Sequence, residues 1–504
     1  MDRRAMTATA LFERGLEAHH GGDADGAIAA YRDALVADPA LAPAHFNLGQ
    51  LYRNLGRHQE AADCFSEATR LRPAAADAWL NLGVSLEQLG ELPRALDAFR
   101  RADQIAPADG TAAFNMGNAL KKQGDLRGAV QAYGRAVERH PDAPQVRLNL
   151  GNTLREAGQP ARAVTELEAA LALRPDWVEA RWNLALAKLA AGRLDEGWEL
   201  YDTRWELLGL PITRGFTWPL WRGEPANGKR FLVWREQGIG DDLLFAGCVP
   251  ELVDRGARVT LAVDPRLVSL LGRAFPEVEV VADGAWGDEP FHYHTPLGSL
   301  PRYLRRDRQA FRAPWNLFLP ERDRIRGWAE RLRALGPGLR VGLCWRSGIR
   351  GPERERHYPS LRELAPLAAL RGVTWVSLQY DDAETELRCF EAGLGVEVHR
   401  WDDLDQRNDF ESVAALIWNL DLVLTAPTAV SSLAGGLGVE TWQLEGGSDW
   451  TAFGEERSPW LPAIRLFRRD PSERSWRGVV ERVHDALQER IATQPDRLAV
   501  PTDE

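Results

Sequence analysis

A period of 34 residues runs through the first 210 positions. Pro39, Pro73, Pro107, Pro141 and Pro175 keep it, and so do Gly22, Gly56, Gly90, Gly124, Gly158 and Gly192. Ala27, Ala61, Ala95, Ala129 and Ala163 fall in the same register. Self-similarity at this spacing means a stack of supersecondary units, because one unit cannot bury its apolar face alone. Each unit reads as a helix pair. The glycine permits the turn between the helices, the proline ends the second helix, and small residues let helices approach closely. Five units agree in register, and a sixth, "EARWNLALAKLAAGRLDEGWELYDTRWELLG", drifts late as a terminal repeat does.

The pattern resembles tetratricopeptide repeats, with Leu48, Gly49, Tyr52, Ala61, Phe65, Ala68 and Pro73 carrying it in the second unit. The expectation is a superhelix with a concave groove over residues 1–210. Asn47, Asn81, Asn115, Asn149 and Asn183 also share the period and form one stripe; Glu13 holds that place in the first unit. Carboxamides both donate and accept, so such a stripe can grip an extended polypeptide whatever its sequence. The animal protein O-GlcNAc transferases use an asparagine ladder this way, and this array is similar. Asparagine is also common at this repeat position generally, so a purely architectural role competes.

Beyond Leu210 the period stops. Residues 211–230 are rich in Pro, Gly and Trp and read as an ordered connector. Apolar runs then alternate with helical segments, as in parallel sheets with crossovers. Strands are expected at 231–234, 257–263 and 278–282, then at 340–345, 373–380, 396–401, 421–426 and 439–445. Helices are expected at 243–255 and near 322–335. This predicts two successive Rossmann-like halves, 231–336 and 337–492, followed by a disordered tail at 493–504.

"EQGIGDDLLFA", "VGLCWRSG", "SLQY", "AALIWNLDLVLTAPTAVSSLAGGLG" and "SPWLPAIRLFRR" occur in that order. Together they resemble bacterial tetratricopeptide-repeat glycosyltransferases whose catalytic part is related to the heptosyltransferases. The resemblance implies an α-solenoid followed by an α/β GT-B fold. It implies a metal-independent protein O-glycosyltransferase without a cofactor, using a nucleotide sugar as substrate. The acceptor is a protein recruited by the repeats, with flagellin and a nonulosonic sugar as the nearest functional precedent.

The resemblance also implies site residues. Asp241 corresponds to the general base of the "GD" pair. Apart from the resemblance, Asp242 is a candidate cap because carboxylates are favourable at a helix N-terminus, Glu236 is a weaker candidate base, and both aspartates acting only as caps is the competing reading. Without a metal, positive charge for the donor phosphate comes from side chains: Arg346 after the first strand of the second half, and Arg354, Arg356 and His357 in the "RERHYP" loop. Arg356 and His357 fit the place where the resemblance implies a basic donor contact before an aromatic-Pro pair, with solvated loop charges the competing reading. Gln379 and Tyr380 at a strand end complete the base or ribose contacts, and Thr428, Ser431 and Ser432 offer a helix start to phosphate. The relatives have Asp-Thr and a later His where this chain has Pro427-Thr428 and Ser432, which puts an ADP-heptose donor in doubt and leaves a weakened or dead enzyme open.

The bulk numbers narrow the alternatives. A net charge of −11 argues against nucleic acid as partner. The absence of any run of about 18 apolar residues argues against a membrane span. Cys64, Cys248, Cys344 and Cys389 are scattered, without metal spacing or a disulfide framework, which together with the N-terminus points to the cytoplasm. "HYH" (292–294) lacks further ligands and reads as core or cleft polarity. Trp198, Trp205, Trp218 and Trp221 read as packing at the junction with the repeats. Two rivals remain: a non-catalytic repeat scaffold on a degenerate GT-B domain, and a transferase acting on lipid or polysaccharide.

Overall fold

The computed structural model describes residues 7–236, 238–311, 316–349, 351, 355, 357–447, 450–471, 473 and 475–493. Contacts divide the chain into two compact units. The first runs to Ala157 and includes Thr165–Pro175; the second takes Gly158–Val164 and everything from Asp176 onward.

The first unit is a stack of antiparallel helix pairs, beginning with Ala8–His20 and Ala24–Ala37, then Ala42–Asn54 and His58–Leu71, Ala76–Gln88 and Leu92–Ile105, and Thr111–Lys122 and Leu126–Arg139. The periodic glycines follow the first helix of each pair with φ of +70° to +83°, a conformation that only glycine adopts without strain. A second glycine set explains the close packing. A Cβ on Gly83 would lie 2.5 Å from the Phe99 ring, so the buried aromatic of one helix rests directly on its partner's backbone.

The sixth pair, Val178–Ala190 with Leu194–Tyr201 and Thr203–Leu207, belongs to the second unit. Trp198 is one tie. It is fully buried, donates its indole N–H to the Arg305 carbonyl at 3.0 Å, and meets Trp450 and Trp460 edge-on at 5.9 and 6.0 Å. The tryptophan cluster expected at the junction therefore packs the last repeat into the α/β body.

That body holds two all-parallel sheets. The first has the order β3-β2-β1-β4, from β1 (Arg230–Trp234), β2 (Arg258–Val263), β3 (Glu279–Ala282) and β4 (Tyr293–Pro296). The second has the order β10-β9-β8-β5-β6-β7, from β5 (Leu339–Cys344), β6 (Val373–Ser377), β7 (Val398–His399), β8 (Leu422–Thr425), β9 (Thr441–Glu445) and β10 (Ile464–Arg468). Central strands covered on both faces read as unbroken apolar runs, which is why β1, β5 and β8 were legible. β4 and β10 were not expected. β4 carries His and Thr and ends on Pro, and β10 alternates apolar residues with arginine; both lie at sheet edges. The expected 243–255 helix instead starts at Ile239 and breaks after Ala246, resuming at Val249–Asp254. One apolar core runs from Trp198 and Tyr201 through Phe245 to Leu433 and Trp460, joining both sheets. No helix among the described residues is long and apolar enough to cross a membrane.

Candidate active site

In parallel sheets, ligands bind beyond the carboxyl ends of the strands, where the strand order reverses. The reversal falls between β1 and β4 in the first sheet and between β5 and β8 in the second. The "GIGDD" turn follows β1, the "RSG" loop follows β5, and "PTAVSS" follows β8, so all three motifs occupy switch points.

Two of them touch. The Ile239–Ala246 helix packs on the Ala429–Gly436 helix through their first turns. A Cβ on Gly240 would lie 3.5 Å from the Ala429 Cα, 3.7 Å from its nitrogen and 3.9 Å from the Ser432 hydroxyl. Two eight-residue helices thus bring their positive ends to one place. Thr428 stands at the N-cap of the second helix, but its side chain makes no capping bond; its hydroxyl lies 3.8 Å from the buried Cys344 thiol.

The two aspartates divide their roles differently from expectation. Asp241, half-buried, accepts the Gly238 N–H at 3.2 Å and so caps its own helix. Asp242, expected as the cap, is buried and accepts from Arg235 Nε at 2.9 Å. Burial pushes its carboxyl up to about 7, against the pull of Arg235. Arg235 also faces Asp264 at 3.4 Å, and Asp264 is bound in turn by Arg266, so the pair sits in an alternating charge chain. Glu236 is removed as a base: Arg204 donates to both its oxygens, at 2.6 and 2.8 Å, and the Gly298 N–H to Oε1 at 2.7 Å.

On the second sheet, the side chains expected to meet the donor are largely engaged by the protein. Arg346 is buried and faces two carboxylates, Asp381 at 3.2 Å and Glu386, so its charge is already more than offset. Its Nε finds no hydrogen-bond acceptor among the described residues. Gln379 accepts the Trp345 and Arg346 N–H groups at 3.2 and 3.3 Å and donates to the Arg346 carbonyl at 3.0 Å and Asp381 at 2.8 Å. Tyr380 accepts the Gly348 N–H at 3.1 Å, and burial raises its phenol above the ordinary range. These two residues brace the loop after β5. Ser431 turns inward and donates to Gln443, whose amide donates to the buried Glu445; Ser432 faces the "GIGDD" helix instead. His357 is exposed and lies across the end of β9, its backbone filling the space a Cβ on Gly446 would need. Arg354 and Arg356 lie outside the described residues.

The asparagine stripe is partly engaged within the protein. Asn81 donates to its own helix's Asp77 carbonyl at 2.7 Å and accepts from Arg53. Asn183 donates to the Glu179 carbonyl at 2.9 Å, and Asn149 to Asn118 at 3.3 Å. Asn47 and Asn115 stay half-buried. "HYH" is structural: His292 accepts the Arg230 N–H at 3.1 Å, and buried His294 accepts the Trp234 indole N–H at 3.1 Å. Burial lowers the His294 imidazole to about 4, so the ring is neutral and carries its proton on Nε2. Among the described residues no group of three or more His, Cys, Asp or Glu side chains is placed to hold a metal ion.

The family model for tetratricopeptide repeats matches residues 2–42 and 46–110, and a second model of the same description matches 120–189. The N-terminal part is an array of tetratricopeptide repeats, an architecture of protein–protein interaction. Protein FlbA of Caulobacter vibrioides is 35% identical over 325 residues, which is 60% of this chain and 54% of that protein. The chain thus spans about half the length of this relative. Among solved structures, MamA is 26% identical with a TM-score of 0.33, covering 33% of this chain and 92% of that one. YrrB, titled a TPR protein with an unusual peptide-binding site, is 25% identical with a TM-score of 0.33, covering 35% and 91%.

Proposed function

We propose that this chain is a protein O-glycosyltransferase, moving a sugar from a nucleotide-sugar donor to a Ser or Thr hydroxyl of a protein held by the repeats. One observation carries the reading: "GIGDD" and "PTAVSS", far apart in sequence, meet first turn to first turn at the switch points of two parallel sheets. In the reaction the acceptor oxygen bonds to the sugar's anomeric carbon while the bond to the nucleotide phosphate breaks. The hydroxyl proton passes to Asp241, and the charge on the departing phosphate meets the Thr428 hydroxyl and the free N–H groups of the Ala429–Gly436 helix. The asparagine stripe contributes to acceptor binding mainly where its carboxamides are not already engaged, at Asn47 and Asn115. The motif resemblance favours flagellin as acceptor and a nonulosonic sugar as cargo.

A second reading, a scaffold on a degenerate transferase domain, draws on the two carboxylates that already offset Arg346 and the full engagement of Gln379. A thermal-shift panel with CMP, UDP, GDP and ADP separates the two. A nucleotide at a hundredfold excess over its Kd stabilises by about 2.7 kcal/mol. The transferase reading expects one nucleotide to raise Tm in the wild type and less so in Thr428→Val, a substitution that breaks no capping bond. No response to any nucleotide favours the scaffold.

A further inference from the structure

We infer that Arg204 and Glu236 are a positioning pair through which the last repeat sets the Gly238–Asp242 turn. The inference rests on that turn being part of the site.

Arg204 belongs to the Thr203–Leu207 helix of the sixth repeat and is almost wholly buried. All five of its guanidinium hydrogens are engaged. Nε and Nη2 form a fork on Glu236, and Nη2 also donates to the Ser299 hydroxyl at 2.9 Å. Nη1 donates to the Tyr201 carbonyl at 3.0 Å and to Asp202 at 2.8 Å. Asp202 accepts in addition from Ser299 at 2.6 Å and from Arg302 at 3.0 Å, so the charges balance, two cations against two carboxylates.

Glu236 is the member that matters for the site. It stands two residues beyond the end of β1 and two before Gly238, where the helix bearing Asp241 begins. Its side chain faces away from the turn, into the repeat and the Gly298 N–H, and a Cβ on Gly298 would come within 2.6 Å of Oε1. A short connector anchored by a buried bidentate pair has few conformations, and Arg204 supplies the rigid side of that anchor. A repeat that grips the acceptor and also holds the catalytic turn fixes where the acceptor hydroxyl arrives relative to Asp241.

The test is hydrogen–deuterium exchange on the full chain. Removing one partner of a buried pair can unfold a protein, whereas replacing both is often tolerated. Arg204→Lys, which keeps the charge and loses the fork, is therefore compared with the double variant Arg204→Met, Glu236→Gln, which retains an acceptor for Gly298. The inference expects exchange in residues 238–246 to rise by about tenfold or more in both variants, while β5, β8 and the Ala42–Leu71 helices keep their protection. Loss of protection confined to 201–207 and 297–304 overturns it, because the pair would then be only a local stitch. Global loss in both variants also overturns it, since the pair would then be a fold element and not a device for one turn. Failure of the wild type to transfer sugar is a separate outcome, which sinks the site reading and leaves the exchange result standing.

Discussion

Trp198→Ala tests the claim that the sixth repeat is built into the α/β body. Truncating a fully buried tryptophan costs about 3–5 kcal/mol in transfer and cavity terms. The Arg305 carbonyl also loses its 3.0 Å donor, at about 1–3 kcal/mol if no water replaces it. Edge-on contacts with Tyr201, Trp450 and Trp460, at 5.2, 5.9 and 6.0 Å, vanish as well. These terms overlap, so the expected loss is about 4–6 kcal/mol, a large part of the stability of an ordinary domain. Trp198→Phe keeps much of the packing and isolates the carbonyl, at about 1–3 kcal/mol. Urea unfolding combined with hydrogen exchange is the assay. β1, β8 and β9 should lose protection together, while the Ala42–Asn54 and Ala76–Gln88 helices keep theirs, because every Trp198 contact named here lies in the second unit. A loss below about 1 kcal/mol, with faster exchange only in 194–207, would mean an ordinary fraying end repeat and would refute the reasoning.

Two other perturbations follow from the same geometry. Gly240→Ala should leave stability unchanged or raise it by about 0.5–1 kcal/mol through helix propensity, since its Cβ meets Ala429 at an ordinary 3.5 Å; Gly240→Val should cost about 1–3 kcal/mol, because its methyls meet backbone. Equal Tm values for the two variants would contradict the close approach of the helices. Asp242→Asn should flatten a pH dependence. With the folded carboxyl raised to about 7, the folded state holds a proton between pH 3.8 and about 7 that the unfolded chain has lost. This contribution to stability is complete below the unfolded pKa and is lost as pH rises through the folded one, with a slope of up to about 1.4 kcal/mol per pH unit. Superimposable pH–stability curves for wild type and Asp242→Asn would rule it out.

The repeats were legible because their signal is periodic and local: the turn glycines and terminal prolines recur in fixed register, and the helix pairs follow them. The central strands were legible because burial on both faces leaves unbroken apolar runs. What escaped the sequence was set by long-range contact. The split between Asp241 and Asp242 is the exception: it is local, and follows from side-chain geometry, Asp242 reaching back to Arg235 and Asp241 to the Gly238 N–H. Gln379 reads as a ligand contact at a strand end, yet its amide is taken by the neighbouring strand's loop. Trp198 was legible as a junction residue but its partners were not, and Arg204 carried no signal of its own; their partners lie about 30 to 260 positions away. β4 escaped because an edge strand of four residues with His and Thr lacks the apolar run.

Intact-mass spectrometry of candidate acceptors, flagellin included, co-expressed with wild type or with Asp241→Asn, tests the central claim most directly. The asparagine keeps an acceptor for the Gly238 N–H and cannot take a proton, so the fold is held while the chemistry is removed. The account predicts a mass increment on an acceptor with wild type and none with the variant. An equal increment with both would remove Asp241 as the base, and no increment on any acceptor would contradict the transferase itself.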